Sequence, residues 1–181
     1  MQAMHWGTVA LLLGAYPAAW MIDSASGPAE KAWLIMLHRS FGITILLLTG
    51  VRLAFRQRTR VPPLPADVPA VQRLAARANV IALYAVLIVQ PLLGLVASML
   101  QGDRIILFGS FVLPPLLPAD RALAHQVFQV HGWTALLLLA LIGLHMAAAL
   151  YHHFVRRDEV LAGMLPGSQR LPRQAGLQPG R

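Results

Sequence analysis

The sequence predicts an all-α integral membrane protein, a four-helix bundle that crosses the bilayer with both termini on the cytoplasmic side. Three observations carry that prediction. Charged residues are only 12% of the 181-residue chain and hydrophobic ones 57%, whereas an ordinary soluble domain is roughly a quarter charged. So few charges cannot cover a water-facing surface, which excludes a soluble enzyme of ordinary composition. Four stretches are long and apolar enough to cross a membrane, which takes about 20 residues of helix. The arginines, finally, are unevenly shared among the connecting segments, and that asymmetry sets the orientation.

The first stretch runs from about Met4 to Ile22. A cleaved signal peptide is the competing reading, and it needs a basic leader and a small-residue cleavage site. No Lys or Arg lies before His5, and Asp23 to Gly27 makes only a passable cleavage region. The second stretch spans Trp33 to Phe55, the third Val80 to Leu100 and the fourth Val127 to Val155. Each is helical because hydrocarbon offers no partner for backbone N–H and C=O groups. Pro17 and Pro91 are expected to kink their helices, which neighbouring spans tolerate.

Between the second and third spans, Arg56, Arg58, Arg60, Arg73 and Arg77 stand against Asp67 alone. After the fourth come Arg156, Arg157, Arg170, Arg173 and Arg181. The other two connections are nearly balanced, with Asp23, Glu30 and Lys31 in one and Asp103, Arg104, Asp120 and Arg121 in the other. The positive-inside rule therefore places both termini and the Arg-rich loop in the cytoplasm. The net charge of +8 is thereby explained without a nucleic-acid partner. Val61–Pro65 and Leu113–Pro118 are Pro-rich and should be extended. Residues 166–181 should form a disordered cytoplasmic tail, leaving 1–165 as the membrane domain.

Cysteine is absent, which excludes disulfides, thiolate zinc sites, iron–sulfur clusters and haem attached through CxxCH. Chemistry falls to the seven histidines. His5 opens the first span and His38 the second; His125 precedes the fourth, which carries His131, His145, His152 and His153; the third has none. Ionisable residues within spans are costly and usually face the bundle interior. At about 100° per residue, the step from His131 to His145 returns to within roughly 40° of one face, and the next step to His152 to within about 20°. Their rise separates His131 from His145 by roughly 21 Å.

Antiparallel order then pairs His38 with His131 near the outer side and His5 with His145 near the inner side. Two facing imidazoles in an apolar bundle are what bis-histidine ligation of a haem requires. Zinc would want a third or fourth ligand at the same depth, and no carboxylate lies in any span. Structural histidines and other metals are the competing readings. Gly42, one turn after His38, and Gly143, two residues before His145, suit close approach of a macrocycle, while Gly94 reads as helix–helix packing.

These residues resemble a known family. His5-Trp6 at the first span, the stretch from His38-Arg39-Ser40-Phe41-Gly42 to Val51-Arg52-Leu53, and the run His131…Gly143-Leu144-His145…His152-His153 are similar to motifs of the bacterial cytochrome b561 family. The resemblance reaches to about Pro166. It implies a four-helix protein of the bacterial inner membrane holding two haem b groups, with His5, His38, His131 and His145 as axial ligands. It also implies ubiquinone beside the inner haem, with His152 as its polar contact; a snorkelling side chain is the alternative for His152. Arg39 is a candidate for an outer propionate or for attracting an anion. Arg52 is the inner equivalent, though a positive-inside anchor explains it equally. Two features depart from the family pattern: only four residues precede His5, and Gly132 follows His131 where an acid is expected.

The activity implied is electron transfer from periplasmic superoxide to ubiquinone, an oxidoreductase of the respiratory membrane. Steering of an anion wants a positive outer face, yet the outer connections hold four acids against three bases before Arg39 is counted. Two other classes stand beside it. One is a cytochrome b subunit between a partner dehydrogenase or hydrogenase and quinone; the other is a cofactor-free scaffold or small transporter.

Overall fold

A computed structural model describes residues 2–58, 68–158 and 161–165; the expected Val61–Pro65 linker and the 166–181 tail lie outside the described residues. Four helices dominate: α1 (Gln2–Met21), α2 (Pro28–Arg58), α3 (Ala70–Gln101) and α4 (Arg121–Tyr151). Two short strands, β1 (Ile105–Leu107) and β2 (Phe111–Leu113), form an antiparallel hairpin between α3 and α4. The last helix continues as one π-helical turn, His152–Arg156.

Among the described residues, α2, α3 and α4 with its π turn are long and apolar enough to cross a membrane. The other expected span, α1, is a 20-residue helix, but His5, Trp6, Tyr16 and Pro17 dilute it and it does not reach the same apolarity. It is nevertheless a full member of the bundle. One buried layer takes Ala15 from α1, Ile45 from α2, Leu87 from α3 and Leu138 from α4. A Cβ on Gly14 would stand 2.8 Å from the Phe41 ring, so glycine there lets α1 close on α2. Outward, Leu13, Leu47, Ile81 and Leu136 are each more than half exposed. Apolar surface on every helix suits a lipid environment and no aqueous one.

Local chemistry explains where the helices stop. Pro28 occupies the first position of α2, where a missing N–H costs nothing. At the end of α3, Gly102 is left-handed (φ 84°). The Gly102 N–H donates to Met99 O and the Asp103 N–H to Ser98 O, a Schellman closure. Asp120 caps α4 by accepting from the Leu123 N–H, and its own N–H donates to Leu100 O, so α4 starts where α3 ends.

The hairpin is the element that sequence reasoning missed. Its turn carries two successive left-handed residues, Phe108 (φ 52°) and Gly109 (φ 73°), and its inner face buries Ile105 and Leu107 with Met99. Two consecutive α2 residues fasten it: Arg39 ion-pairs with Asp103, and the Ser40 hydroxyl accepts from the Phe108 N–H. At the opposite end, carbonyls of Gly163 and Met164 accept from the side chains of Gln2 and Trp6, each at 2.9 Å. The two ends of the described chain therefore share one face of the bundle.

Ile105 is 1% exposed. Ile105→Ala should destabilise the hairpin by about 2–5 kcal/mol, the usual range for a buried large-to-small change. Faster limited proteolysis between α3 and α4 would report it, with the helical circular dichroism unchanged.

Candidate functional site

Four of the five predicted histidines meet in two pairs, one at each end of the bundle. His38 and His131 lie with ring centres 6.1 Å apart and planes at 87°. His5 and His145 lie 6.2 Å apart at 63°. In both pairs α4 supplies one partner, while α2 supplies the other at the hairpin end and α1 at the terminal end.

Coordination chemistry tests what such pairs can hold. A metal–imidazole nitrogen bond is about 2 Å, so imidazoles on opposite sides of one ion have ring centres about 6 Å apart. Both pairs meet that spacing. At the hairpin end the tautomers suit it too. His38 Nδ1 is 2.9 Å from Ala15 O, and His131 Nδ1 is 3.0 Å from Gln90 O. A carbonyl only accepts, so each Nδ1 carries the proton and each Nε2 keeps the lone pair a metal would need; at His131 that lone pair faces the Gln90 side-chain amide nitrogen at 3.4 Å.

Space flanks this pair on two sides. A cavity of about 480 Å³ is lined by His38, Arg39, Gly42, Gly94, Leu107 and His131 among others. A second, of about 260 Å³, is lined by His38, Gly42, Tyr16, Gln90, His131 and Gly132 among others. The larger volume falls within the range found for cofactor sites, about 300–1,000 Å³, and the smaller lies just below it. Ile105 and Leu107 of the hairpin form part of the wall of the larger one.

Gly94 packs against α4, in keeping with the helix–helix role read from the sequence: a Cβ there would stand 2.9 Å from His131 Cε1, so the missing side chain makes room for the imidazole. Gly42 lines both cavities, as a macrocycle contact would, whereas nothing lies within 4 Å of a Cβ built on Gly143.

The terminal-end pair has a polar neighbourhood. Arg52 Nη1 is 3.5 Å from His5 Nδ1, and the guanidinium groups of Arg52 and Arg56 lie 5.6 and 5.5 Å from the Tyr84 ring centre, within cation–π range. Thr49 Oγ1, Arg52 Nε and Tyr84 OH are buried without a hydrogen-bond partner in the structure. Buried polar atoms are ordinarily satisfied, and groups of this kind are what a carboxylate would engage. Trp6 sets its ring edge-on to His5, 5.4 Å between centres.

The fifth histidine, His152, lies apart from both pairs. Its Nδ1 is 2.6 Å from Asp158 Oδ2, and the Asp158 N–H donates back to His152 O. The π turn and left-handed Arg157 (φ 51°) bring Asp158 round to it. Arg39, the expected outer cation, is engaged by Asp103 at the cavity wall. Sequence reasoning missed Gln90, Thr134, Tyr84, Asp103 and Asp158. Gln90, an amide within an apolar span, was the readable signal among them.

Comparison with known proteins points the same way. A family model described as prokaryotic cytochrome b561 matches residues 1–167. The chain is 34% identical to cytochrome b561 homolog 2 of Escherichia coli K12 over 167 residues, covering 90% of this chain and 87% of that protein. It is 31% identical to the probable superoxide oxidase CybB of Yersinia pestis over 167 residues, 90% and 92% of the two chains.

Gly94→Ala should force the His131 ring to move, at a cost of about 1–3 kcal/mol for an overpacked interior. A lower melting temperature in detergent would report it, and Gly143→Ala, with open space around it, should melt like the parent.

Proposed function

The chain belongs to the prokaryotic cytochrome b561 family of membrane electron-transfer proteins, and from that premise we propose a di-haem b protein passing electrons from periplasmic superoxide to ubiquinone. The observation that carries the reading is the pair of facing imidazoles at each end of the bundle, each at coordination spacing. His38 and His131 would hold one haem b, His5 and His145 the other. The arginine distribution supports a multi-pass protein of the bacterial inner membrane, with the hairpin end periplasmic and both termini cytoplasmic.

Haem b, when bound, supplies reversible one-electron chemistry at its iron. The chain's own residues do the rest. Carbonyls of Ala15 and Gln90 hold the Nδ1 protons of His38 and His131, fixing the ring tautomers. Ile105 and Leu107 of the hairpin give the outer site part of its apolar wall. At the inner site Arg52, Thr49 and Tyr84 offer donors to propionates, and the same cations would orient any anionic group there. His152 is the residue proposed to face ubiquinone; with Nδ1 held by Asp158, its Nε2 is the atom that gives or takes a proton as quinone is reduced.

A second reading is favoured by one observation. Arg39 is neutralised by Asp103, and Asp23 lines the same cavity, so the outer mouth offers little attraction for a small anion. A cytochrome b subunit taking electrons from a partner dehydrogenase or hydrogenase needs none. Stopped-flow reduction of the purified protein by superoxide separates the two: rapid reduction of both haems supports the first, and reduction only after adding a partner protein supports the second.

Pyridine haemochrome analysis should give about two haems per chain. His38→Ala and His131→Ala should lose the same spectral component, and His5→Ala and His145→Ala the other. Loss of one component from both His5 and His131 variants would contradict the pairing.

His152→Ala should keep both haems and their reduction by an outer donor. Re-oxidation by ubiquinone should slow about tenfold or more, since a positioned acid–base group typically contributes about 10²–10⁴. Unchanged re-oxidation kinetics at varied quinone concentration would return His152 to an interfacial role.

A further inference from the structure

We propose that Gln90, on the one helix without a histidine, is the positioning residue that sets how His131 is presented to its metal. Gln90 engages the first turn around His131 through three of its groups. Its backbone carbonyl lies 3.0 Å from His131 Nδ1. Its side-chain amide donates to the His131 carbonyl at 2.9 Å and lies 3.4 Å from His131 Nε2, the nitrogen that would face the metal. Its side-chain oxygen accepts the hydroxyl of Thr134, one turn further along α4. The clamp therefore holds the ring by its Nδ1 and the backbone that carries it by residues 131 and 134.

The surrounding residues agree with that role. Gly94, one turn along α3, leaves only enough room for the ring: an added Cβ would meet Cε1 at 2.9 Å. Gln90 itself lines the smaller cavity beside the pair. An amide in an apolar span is costly unless its groups are satisfied, and here both ends of the side chain are satisfied by α4. Packing alone would be served by leucine.

The consequence is electronic as well as geometric. An imidazole whose Nδ1–H donates strongly is a better electron donor through Nε2, which favours the oxidised metal. The angle between the two imidazole planes, 87° at this pair, would also govern the low-spin electron paramagnetic resonance signal of a haem held there. Loosening the clamp should let the α4 turn drift from Gln90 O, weakening the Nδ1 bond and rotating the ring.

This role rests on haem occupying the His38–His131 site, so the experiment reads occupancy first. Full-length protein is purified with its haem, and pyridine haemochrome is measured on the parent, Gln90→Met and Thr134→Val. The His38→Ala variant assigns which spectral component belongs to the outer site. Gln90→Met keeps the side chain's length but neither donates nor accepts as the amide does. It should retain two haems per chain, raise the midpoint potential of the outer component alone and shift that component's resonance signal. Thr134→Val should move both readouts in the same direction by less, and the double variant should move them no further than Gln90→Met. If Gln90→Met does not accumulate, Thr134→Val alone carries the comparison. An outer component unchanged in potential and signal overturns the role, as does an equal shift of both components, which marks general loosening of the bundle. A parent protein with no haem at the outer pair overturns the functional reading instead.

Discussion

Two imidazoles can share one metal ion only if their rings are held about 6 Å apart, by the length of a metal–nitrogen bond. That tolerance is a few tenths of an ångström, far tighter than helices in lipid are held by apolarity alone. Under the proposed di-haem reading, the rest of the bundle meets this constraint twice. Helix α4 contributes to both pairs, and Leu138 lies midway along it, seven residues from each histidine. That residue is buried in one layer with Ala15, Ile45 and Leu87. One close-packed layer of small and branched side chains thus separates the two sites and sets the spacing of all four helices between them. Close approach matters here because lipid supplies no hydrophobic drive for helices to associate.

The two ends meet the constraint by different means. At the hairpin end it is met with hydrogen bonds that are already made. Carbonyls hold the two Nδ1 atoms, Gln90 and Thr134 lock the α4 turn, and the Schellman closure of α3 delivers Asp103 to Arg39. The hairpin adds Ile105 and Leu107 to the cavity wall. At the terminal end, hydrogen-bonding capacity is left over: Thr49, Arg52 and Tyr84 each bury an atom without a partner, beside two stacked guanidinium groups. The first end is preorganised around its ring nitrogens; the second reserves donors for negatively charged groups.

This division bears on which molecules can exchange electrons at each end. A cavity whose Arg39 is matched by a neighbouring carboxylate does not concentrate small anions by long-range attraction. Under the proposed function, a terminal end with Arg52 and Arg56, and with His152 held at Nδ1 by Asp158, would supply the cations and the proton-handling atom for an acceptor gaining electrons and protons together.

Much of this was legible in the residues. Low charge and four apolar stretches specify a helical membrane protein, because hydrocarbon forbids an unpaired backbone. The 3.6-residue period places His131 and His145 on one stripe, and antiparallel order assigns their partners by depth, so the two pairs follow from spacing alone. What the spacing of residues in one helix cannot express is what a neighbouring helix presents to them. Gly94 is a small residue on an apolar helix in any reading of the chain; only its position opposite His131 makes it clearance for a ring. Gln90 stands 41 residues from His131, and Asp103 stands 64 from Arg39, so neither contact has a local signature. The hairpin's Phe108-Gly109 turn and the π turn that brings Asp158 to His152 depend on a few left-handed residues whose conformation is settled by what they dock against. Periodicity and apolarity act along a chain and so determined the helices, their order and the histidine pairs. Ring orientation, cavity closure and the partners of each charge act across helices, and the tertiary structure alone decided them.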